Sequence, residues 1–214
     1  MRRYEETVQR LSINDAVEAA EVLAEAFYND PLWVYLEPNN IRRKKIIQKF
    51  FKIFVYLQLN SSLVYGIGDP LKGVASWKPP TSRKISLWEG MKTAWRIINS
   101  GIIGLYFSRI LRMLIRSWRI FTRIEKMHKK YAPEPHYYLE MIGIFPTSQG
   151  KGLASKLINY VLKHVDAKSM STYLETLNPK NVALYEHFGF EFRERWDIPG
   201  INVSVWALYR PVKS

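Results

Sequence analysis

The stretch of this chain best equipped for chemistry is a glycine-rich turn, Gln149-Gly150-Lys151-Gly152-Leu153-Ala154. It follows a run from His136 to Phe145 that reads as a long strand ended by Pro146. It opens a helix with Leu153, Leu157, Ile158, Val161, Leu162 and Val165 on one side. Strand, glycine turn and helix form a geometry that holds phosphates. The N–H groups freed at the helix start point outward, and the dipole adds about half a positive charge there. Small residues at Gly150, Gly152 and Ala154 let phosphates approach the backbone. Two generic phosphate motifs do not fit. Gly-Lys-Ser/Thr is absent, and Ser155 stands where the third glycine of Gly-x-Gly-x-x-Gly falls.

Such a turn needs a sheet beneath it, and the chain offers one in pieces. Leu11-Ser12-Ile13 reads as a first strand or its end. Asn14 or Asp15 is expected to cap a helix carrying Val17, Ala20, Val22, Leu23, Ala24 and Phe27, which Asn29-Asp30-Pro31 stops. A second helix is expected over about 41–59, then a hairpin of 62–66 and 73–78 around Gly68-Asp69-Pro70. Residues 85–130 read as one or two helices, closed by Ala132-Pro133-Glu134-Pro135. Beyond the glycine turn come a strand at 172–176, a short helix capped by Asn178 with Pro179 at its first position, and strands at 190–196 and 203–208. The sum is one mixed α/β domain over 1–214, with a helical insertion at about 83–132 between the third and fourth strands.

Composition removes several classes of function. Hydrophobic and charged fractions of 47% and 24% exclude wholesale disorder. With zero cysteines there is no disulfide, thiolate-held zinc or iron–sulfur site, or cysteine nucleophile, and no metal centre is expected. The start, Met1-Arg2-Arg3-Tyr4-Glu5-Glu6, has no apolar stretch behind it, so no secretory signal is expected. The longest uncharged apolar run, Ile97 to Ser108, is twelve residues, whereas a membrane span needs about 20. A soluble, cytoplasmic protein is expected.

The charge is uneven. Of a formal net charge of +13, residues 83–130 supply twelve Lys/Arg against two acids, leaving a nearly neutral domain with one basic segment. Arg109, Arg112, Arg116, Arg119, Arg123 and Lys126 recur at spacings of three and four on one helix face. The stripe reads as a solvated helix face, or as a surface for an anionic acceptor, a membrane surface or a protein. Nucleic acid is not expected, since no reader motif accompanies the charge.

Two motifs carry a family resemblance. Tyr138-Leu139-Glu140-Met141-Ile142-Gly143-Ile144-Phe145-Pro146, followed by Gln149 to Ala154, resembles the acetyl-CoA site of the GCN5-related N-acetyltransferases (GNAT). Their Gln/Arg-x-x-Gly-x-Gly/Ala signature is met by Gln149, Gly152 and Ala154. About thirty residues on, Asn178-Pro179-Lys180-Asn181-Val182-Ala183-Leu184-Tyr185-Glu186-His187-Phe188-Gly189-Phe190 resembles the second hallmark, an Asn, then Leu-Tyr, then Gly-Phe. With Tyr173-Leu174-Glu175-Thr176, the combination is closest to the puromycin N-acetyltransferase-like branch. The resemblance is firm over 136–192, extends to 10–78 and is absent from 83–130.

The resemblance implies a GNAT fold, an α/β architecture whose central mixed, mostly antiparallel sheet is flanked by helices. It implies acetyl-CoA as acyl donor and an acetyl group passed to a primary amine of a small molecule or peptide by direct attack in a ternary complex. Main-chain groups of Ile142, Gly143 and Ile144 would receive the pantetheine arm. Backbone amides of Gln149, Gly150, Lys151, Gly152, Leu153 and Ala154 would hold the pyrophosphate. Asn181 would touch the pantetheine or fix Tyr185, and Tyr185 would protonate the departing thiolate. A phenol near pKa ~10 keeps its proton at neutral pH, and a thiol near ~8.5 is a suitable recipient.

For the amine's proton, Glu140 acting through a water comes first, because a regular strand puts it on the face of Ile142. Glu175 comes second, and His128 and His136 flank the insertion. Phe27, Trp33, Tyr35, Trp77 and Glu175 are the expected acceptor contacts. The aromatic residues of 85–130 are more often core than pocket. A non-catalytic acyl-CoA-binding module and a basic surface-binding protein remain as alternatives, and a homodimer is left open.

Overall fold

Short β-branched and aromatic runs between glycine-bearing turns become the strands of one sheet. The computed structural model describes residues 7–82, 118, 120–200 and 202–213. The strands are β1 (Val8–Arg10), β2 (Leu63–Ile67), β3 (Gly73–Lys78), β4 (His136–Ile144), β5 (Ser171–Thr176), β6 (Glu191–Asp197) and β7 (Ser204–Arg210). Their spatial order is β1-β2-β3-β4-β5-β7-β6. Neighbours run antiparallel except β4 and β5, which pair in parallel over four residues, from His136 with Ser171 to Leu139 with Leu174. Beyond that point the two strands part. The mixed, mostly antiparallel sheet is the one expected, and the hairpin of β2 and β3 lies where its turn residues put it.

Helices cover both faces. On one lies α5 (Leu153–Ala167), whose single apolar stripe of Leu153, Leu157, Ile158, Val161, Leu162 and Val165 is wholly buried against Ile67, Ala75, Trp77, Leu139 and Leu174. On the other lie α1 (Ala16–Ala26), α2 (Pro31–Leu36) and α3 (Asn40–Ser61), with Leu23, Phe51 and Val74 in their core. The same face continues under α4, over residues 120–131, where Ile120 and Met127 pack on Tyr173, Val205 and Ala207. A short helix, α6 (Val182–His187), follows β5. Among the described residues no helix is long and apolar enough to cross a membrane.

Several sequence expectations need correction. Asp15 stands at the N-cap position of α1 as expected but makes no side-chain cap there, and the helical stretch begins earlier, at Ser12. Ser12 forms a capping box with Asp15 over a 3-10 turn, and β1 ends at Arg10. Asp30-Pro31 starts a helix instead of only ending one: Asp30 accepts the Leu32 N–H at 2.9 Å and Pro31 takes the first position. The basic stripe is only partly visible. Arg109, Arg112, Arg116 and Arg119 lie outside the described residues. Arg123 is not simply solvated, because it pairs with Glu194 on β6, which also accepts from Lys130 (3.0 Å) and Tyr131 (2.6 Å).

A single buried cation sets the path from α1 to α3. The Arg43 guanidinium donates to the carbonyls of Tyr28, Glu37 and Pro38, each at 3.0 Å, and to Asn40 Oδ1 at 2.8 Å. It also stacks over the Tyr28 ring. Arg43→Ala strands these carbonyls and should cost on the order of 3 kcal/mol. Thermal unfolding should then shift down by roughly 6–12 °C. Arg43→Lys should recover little, because an ammonium cannot span the four acceptors.

Candidate active site

The parting of β4 from β5 leaves the β5-facing edge of β4 without a strand partner after Leu139. Ile142 and Ile144 turn their side chains into the core under α5. Gly143 faces α1, where a Cβ would stand 2.9 Å from both Ala26 Cβ and Leu23 Cδ2. Close packing of α1 on β4 therefore requires glycine there, and what Ile142-Gly143-Ile144 offers to the gap is main chain. The strand runs straight into the glycine turn. Gln149 ties the two together by donating from Nε2 to the Ile144 carbonyl at 3.1 Å, and Lys151 Nζ donates to the Thr147 carbonyl at 2.9 Å.

Gly150 and Gly152 adopt φ of +74° and +77°, the left-handed region that other residues enter at a cost of about 1 kcal/mol. A Cβ at either would meet nothing within 4 Å. Conformation and open approach, not crowding, are what glycine supplies here. The first amides of α5 have no intrahelical acceptor. Among the described residues, no N–H from Gly150 to Ser155 donates within the turns and caps. The turn is thus an outward-facing row of free amides at a helix start, which fits the diphosphate of a coenzyme A ester.

Tyr185 lies on the α5 side of the sheet, buried and edge-on to Phe190 at 5.9 Å. Burial pushes its phenol well above the ordinary tyrosine value. Asn178 caps the preceding turn by accepting the Lys180 N–H at 3.1 Å, with Pro179 in first position as expected. Asn181 stands at the start of α6, one turn before Tyr185. The far end of α6 is pinned by Arg210, which donates to the Phe188 carbonyl at 2.8 Å and to both Asp166 oxygens at 2.5 and 2.9 Å.

On the opposite face the carboxylates gather. Ser76 pairs with Met141 and Trp77 with Leu139, so Glu140 is an extra residue, a bulge in β4. The bulge turns Glu140 toward α3, to the face opposite Ile142, and this corrects the expectation from a regular strand. Its Oε2 accepts from Ser62 Oγ at 3.0 Å and Ser76 Oγ at 3.5 Å. Burial pushes its carboxyl up. Glu175 shares this face. Its Oε2 accepts from the Tyr138 hydroxyl at 2.8 Å, while its buried Oε1 has no partner among the described residues. Burial raises the Glu175 carboxyl to about 7. The buried Tyr173 hydroxyl faces the same carboxyl at a geometry short of a full hydrogen bond.

His128 lies over these tyrosines, its ring 4.5 Å from Tyr138 and 4.7 Å from Tyr173. Its Nε2 is 2.7 Å from His136 Nε2, and His136 Nδ1 is 2.7 Å from the Glu134 carbonyl. A carbonyl only accepts, so His136 carries its proton on Nδ1 and accepts from His128 at Nε2. Burial pushes both down, His128 to about 4. The two histidines are engaged with each other and neutral.

The expected acceptor contacts divide. Trp77 is fully buried on the α5 side, away from the carboxylates, and is a core side chain. Phe27 and Trp33 pack with Phe51 and Phe50 of α3, at 5.5 and 4.9 Å respectively. Tyr35 and Leu32 of α2 reach the core under α4 while Trp33 packs on that of α1 and α3, so α2 joins the two clusters on this face. Trp88, Trp95, Tyr106 and Phe107 lie outside the described residues. Sequence reasoning missed Tyr138 and Tyr173. The signal was present: Tyr138-Leu139-Glu140 and Tyr173-Leu174-Glu175 are identical tripeptides, and their Tyr and Leu positions pair in register across β4 and β5.

Comparisons with known proteins agree with this arrangement. Residues 115–190 match the model of the acetyltransferase (GNAT) family. An uncharacterised N-acetyltransferase of Schizosaccharomyces pombe is 29% identical over 192 residues, covering 87% of this chain and 74% of its own. The fold is similar to that of a histone acetyltransferase HPA2-related protein from Corynebacterium glutamicum (TM-score 0.67, 20% identity, 98% of this chain and 97% of that one). It is also similar to the ribosomal-protein-S18-alanine N-acetyltransferase of Escherichia coli (TM-score 0.53, 13% identity, 98% and 95%). With its glycine turn at the end of a strand that leaves its parallel neighbour, and with the helix bearing Tyr185 beyond, the chain is similar to the GNAT family over residues 115–190 and has the fold of the acetyltransferase structures it resembles.

Proposed function

We propose that this protein is an acetyl-CoA-dependent N-acetyltransferase that acetylates a primary amine by direct attack. The observation that carries this reading is the unpaired edge of β4 running into the free amides of Gly150–Ala154 in the glycine turn. A pantetheine arm would add to that edge as a strand adds to a sheet, and Gln149, Gly150, Lys151, Gly152, Leu153 and Ala154 would take the pyrophosphate through their backbones. The bound donor supplies an activated acyl carbon. Asn181 would touch the pantetheine or help fix Tyr185, one helical turn on.

Tyr185 gives its proton to the leaving sulfur. Its raised pKa keeps it protonated through the working range, and in so dry a setting a thiolate too is poorly solvated. The amine approaches from the other face, past Phe27, Trp33 and Tyr35. Two carboxylates there can take its proton: Glu140 through a water, and Glu175.

Acetyl-CoA at a hundredfold excess over its dissociation constant should stabilise the protein by about 2.7 kcal/mol, a rise in Tm of roughly 5–10 °C. Gly152→Val should abolish most of that rise, because a branched side chain resists the left-handed conformation and projects into the open approach. A full rise in the variant would put the pyrophosphate elsewhere. Tyr185→Phe should lower kcat by about 10²-fold or more while leaving the acetyl-CoA-induced Tm rise in place. Unchanged turnover removes Tyr185 as the acid.

A further inference from the structure

We infer that Glu175 is the residue that receives the acceptor's ammonium and takes its proton, that Tyr138 positions it, and that the Tyr173 hydroxyl is a second hydrogen-bond acceptor for the same nitrogen. This rests on the acetyl-transfer reading above and assigns the proton acceptor within it.

Geometry separates the two carboxylates. Glu140 is turned by the bulge toward β3 and α3, and its Oε2 already holds two serine hydroxyls. Glu175 has one oxygen fixed by Tyr138, and the other has no full hydrogen bond among the described residues, with only the Tyr173 hydroxyl facing the carboxyl, so its lone pairs have a defined direction. Buried, unpartnered polar atoms are rare and ask for a partner. Here two of them, Glu175 Oε1 and Tyr173 Oη, sit at the place where β4 and β5 part. The carboxylate oxygen only accepts, the Tyr173 hydroxyl acts toward it as a donor and keeps lone pairs that accept, and an ammonium has three hydrogen bonds to give. The twin Tyr-Leu-Glu register explains the placement: the leucines fill the core under α5, and the tyrosines and glutamates face the other way.

The groups around Glu175 are mostly neutral or acidic. From β4 come Tyr138, Glu140 and His136; from β5, Tyr173; from α4, His128 and Tyr131; from β6, Glu194 acts on Tyr173. Lys78 of β3 acts on Glu140 and His128. Desolvation therefore raises the Glu175 carboxyl, and the Tyr138 hydrogen bond opposes that rise. A base balanced near neutrality suits an amine that arrives protonated.

In the step, the ammonium gives one N–H proton to Glu175 Oε1. The freed lone pair makes the N–C bond to the acyl carbon as the C–S bond breaks, and Tyr185 hands its phenolic proton to the sulfur. The nitrogen loses a second proton through water to the Tyr185 phenolate. Glu175 then releases its proton to solvent, so the net change is one proton released per amide formed.

The test uses the full chain with acetyl-CoA and three probe amines, phenethylamine, 1,4-diaminobutane and glycinamide. Thiol release is followed from about pH 5.5 to about 9.5. Wild type should show an acidic limb in kcat/KM near pH 7. Glu175→Gln should lose about 10²-fold or more at pH 7.5 and flatten that limb. Tyr138→Phe, which removes a hydrogen bond that favours the charged carboxylate, should move the limb to higher pH, a shift that a merely structural tyrosine does not cause. Glu140→Gln should keep the limb where it is. A limb that survives Glu175→Gln, or that follows Glu140→Gln instead, overturns the assignment.

Unfolding without ligand gives a second readout. A carboxyl raised in the folded state weighs on stability as pH climbs from the unfolded value of about 4.5 to the folded value of about 7. Glu175→Gln should therefore unfold several degrees above wild type at pH 8, with the gap closing toward pH 4.5. A gap that does not depend on pH also overturns the assignment. If wild type acetylates none of the probes, the acetyl-transfer reading loses its acceptor half and this inference falls with it. Turnover with an unmoved limb removes the inference alone.

Discussion

Everything in the candidate site depends on two parallel strands that pair for four residues and then separate. The cause lies in β4. Immediately after Leu139, the Glu140 bulge adds a residue against β3, and bulges bend and twist the strand that carries them. Three residues later α1 presses on Gly143, closely enough that no side chain fits. β4 is thus held to β3 and α1, while β5 follows β7 through Thr176. The gap exposes backbone groups that must find partners, because unpaired buried N–H and C=O groups are costly. An extended ligand meets that need as well as a strand would.

The gap also sorts the chemistry. Period two in each strand sends successive residues to opposite faces, so Glu140 and Glu175 lie on the face opposite the α5-side core that holds Tyr185. Tyr185 is kept protonated by burial on one face; Glu175 is kept near the middle of its titration on the other. Near neutral pH the Glu175 placement weighs on the folded chain, whereas the Tyr185 phenol is neutral folded or unfolded and costs nothing; each side chain is fixed by its surroundings. Arg210 provides that for Tyr185 by fastening the end of α6 to α5, and the packed rings of Tyr138, Tyr173 and His128 provide it for Glu175.

Local signals were legible in the sequence, and signals that depend on a pairing partner were not. The Gln149–Ala154 turn, the α5 stripe and the Asn178-Pro179 cap are each written within one turn or one helix, and each lies where the residues put it. The bulge at Glu140 is not a property of β4 alone. It exists because Ser76 and Trp77 take Met141 and Leu139 as partners, so nothing near Glu140 announces it. Trp77 suffers from the same dependence: its face is set by the register of β3. Two misreadings were avoidable. Asp30-Pro31 marks a helix start as well as a stop, and Ser12 with Asp15 is a recognisable capping box. The repeated Tyr-Leu-Glu was avoidable too, since two identical tripeptides on strands either side of a glycine-turn helix invite being set side by side.

The electrostatics of the chain act at two ranges. A net charge of +13 gives a field that favours the approach of a polyanion, and the proposed donor carries several phosphate charges. That field is screened beyond about 8 Å at physiological salt, so it acts on encounter and not on chemistry. Within the site the sign reverses, because Glu140 and Glu175 share the acceptor face, and part of the basic segment is already spent: Arg123 and Lys130 converge on Glu194 and hold α4 to the outer strands. Basic charge that fastens α4 leaves the acceptor face acidic. A chain of strongly positive total charge thereby draws an anionic donor from a distance, while the face that carries Glu140 and Glu175 stays acidic at close range.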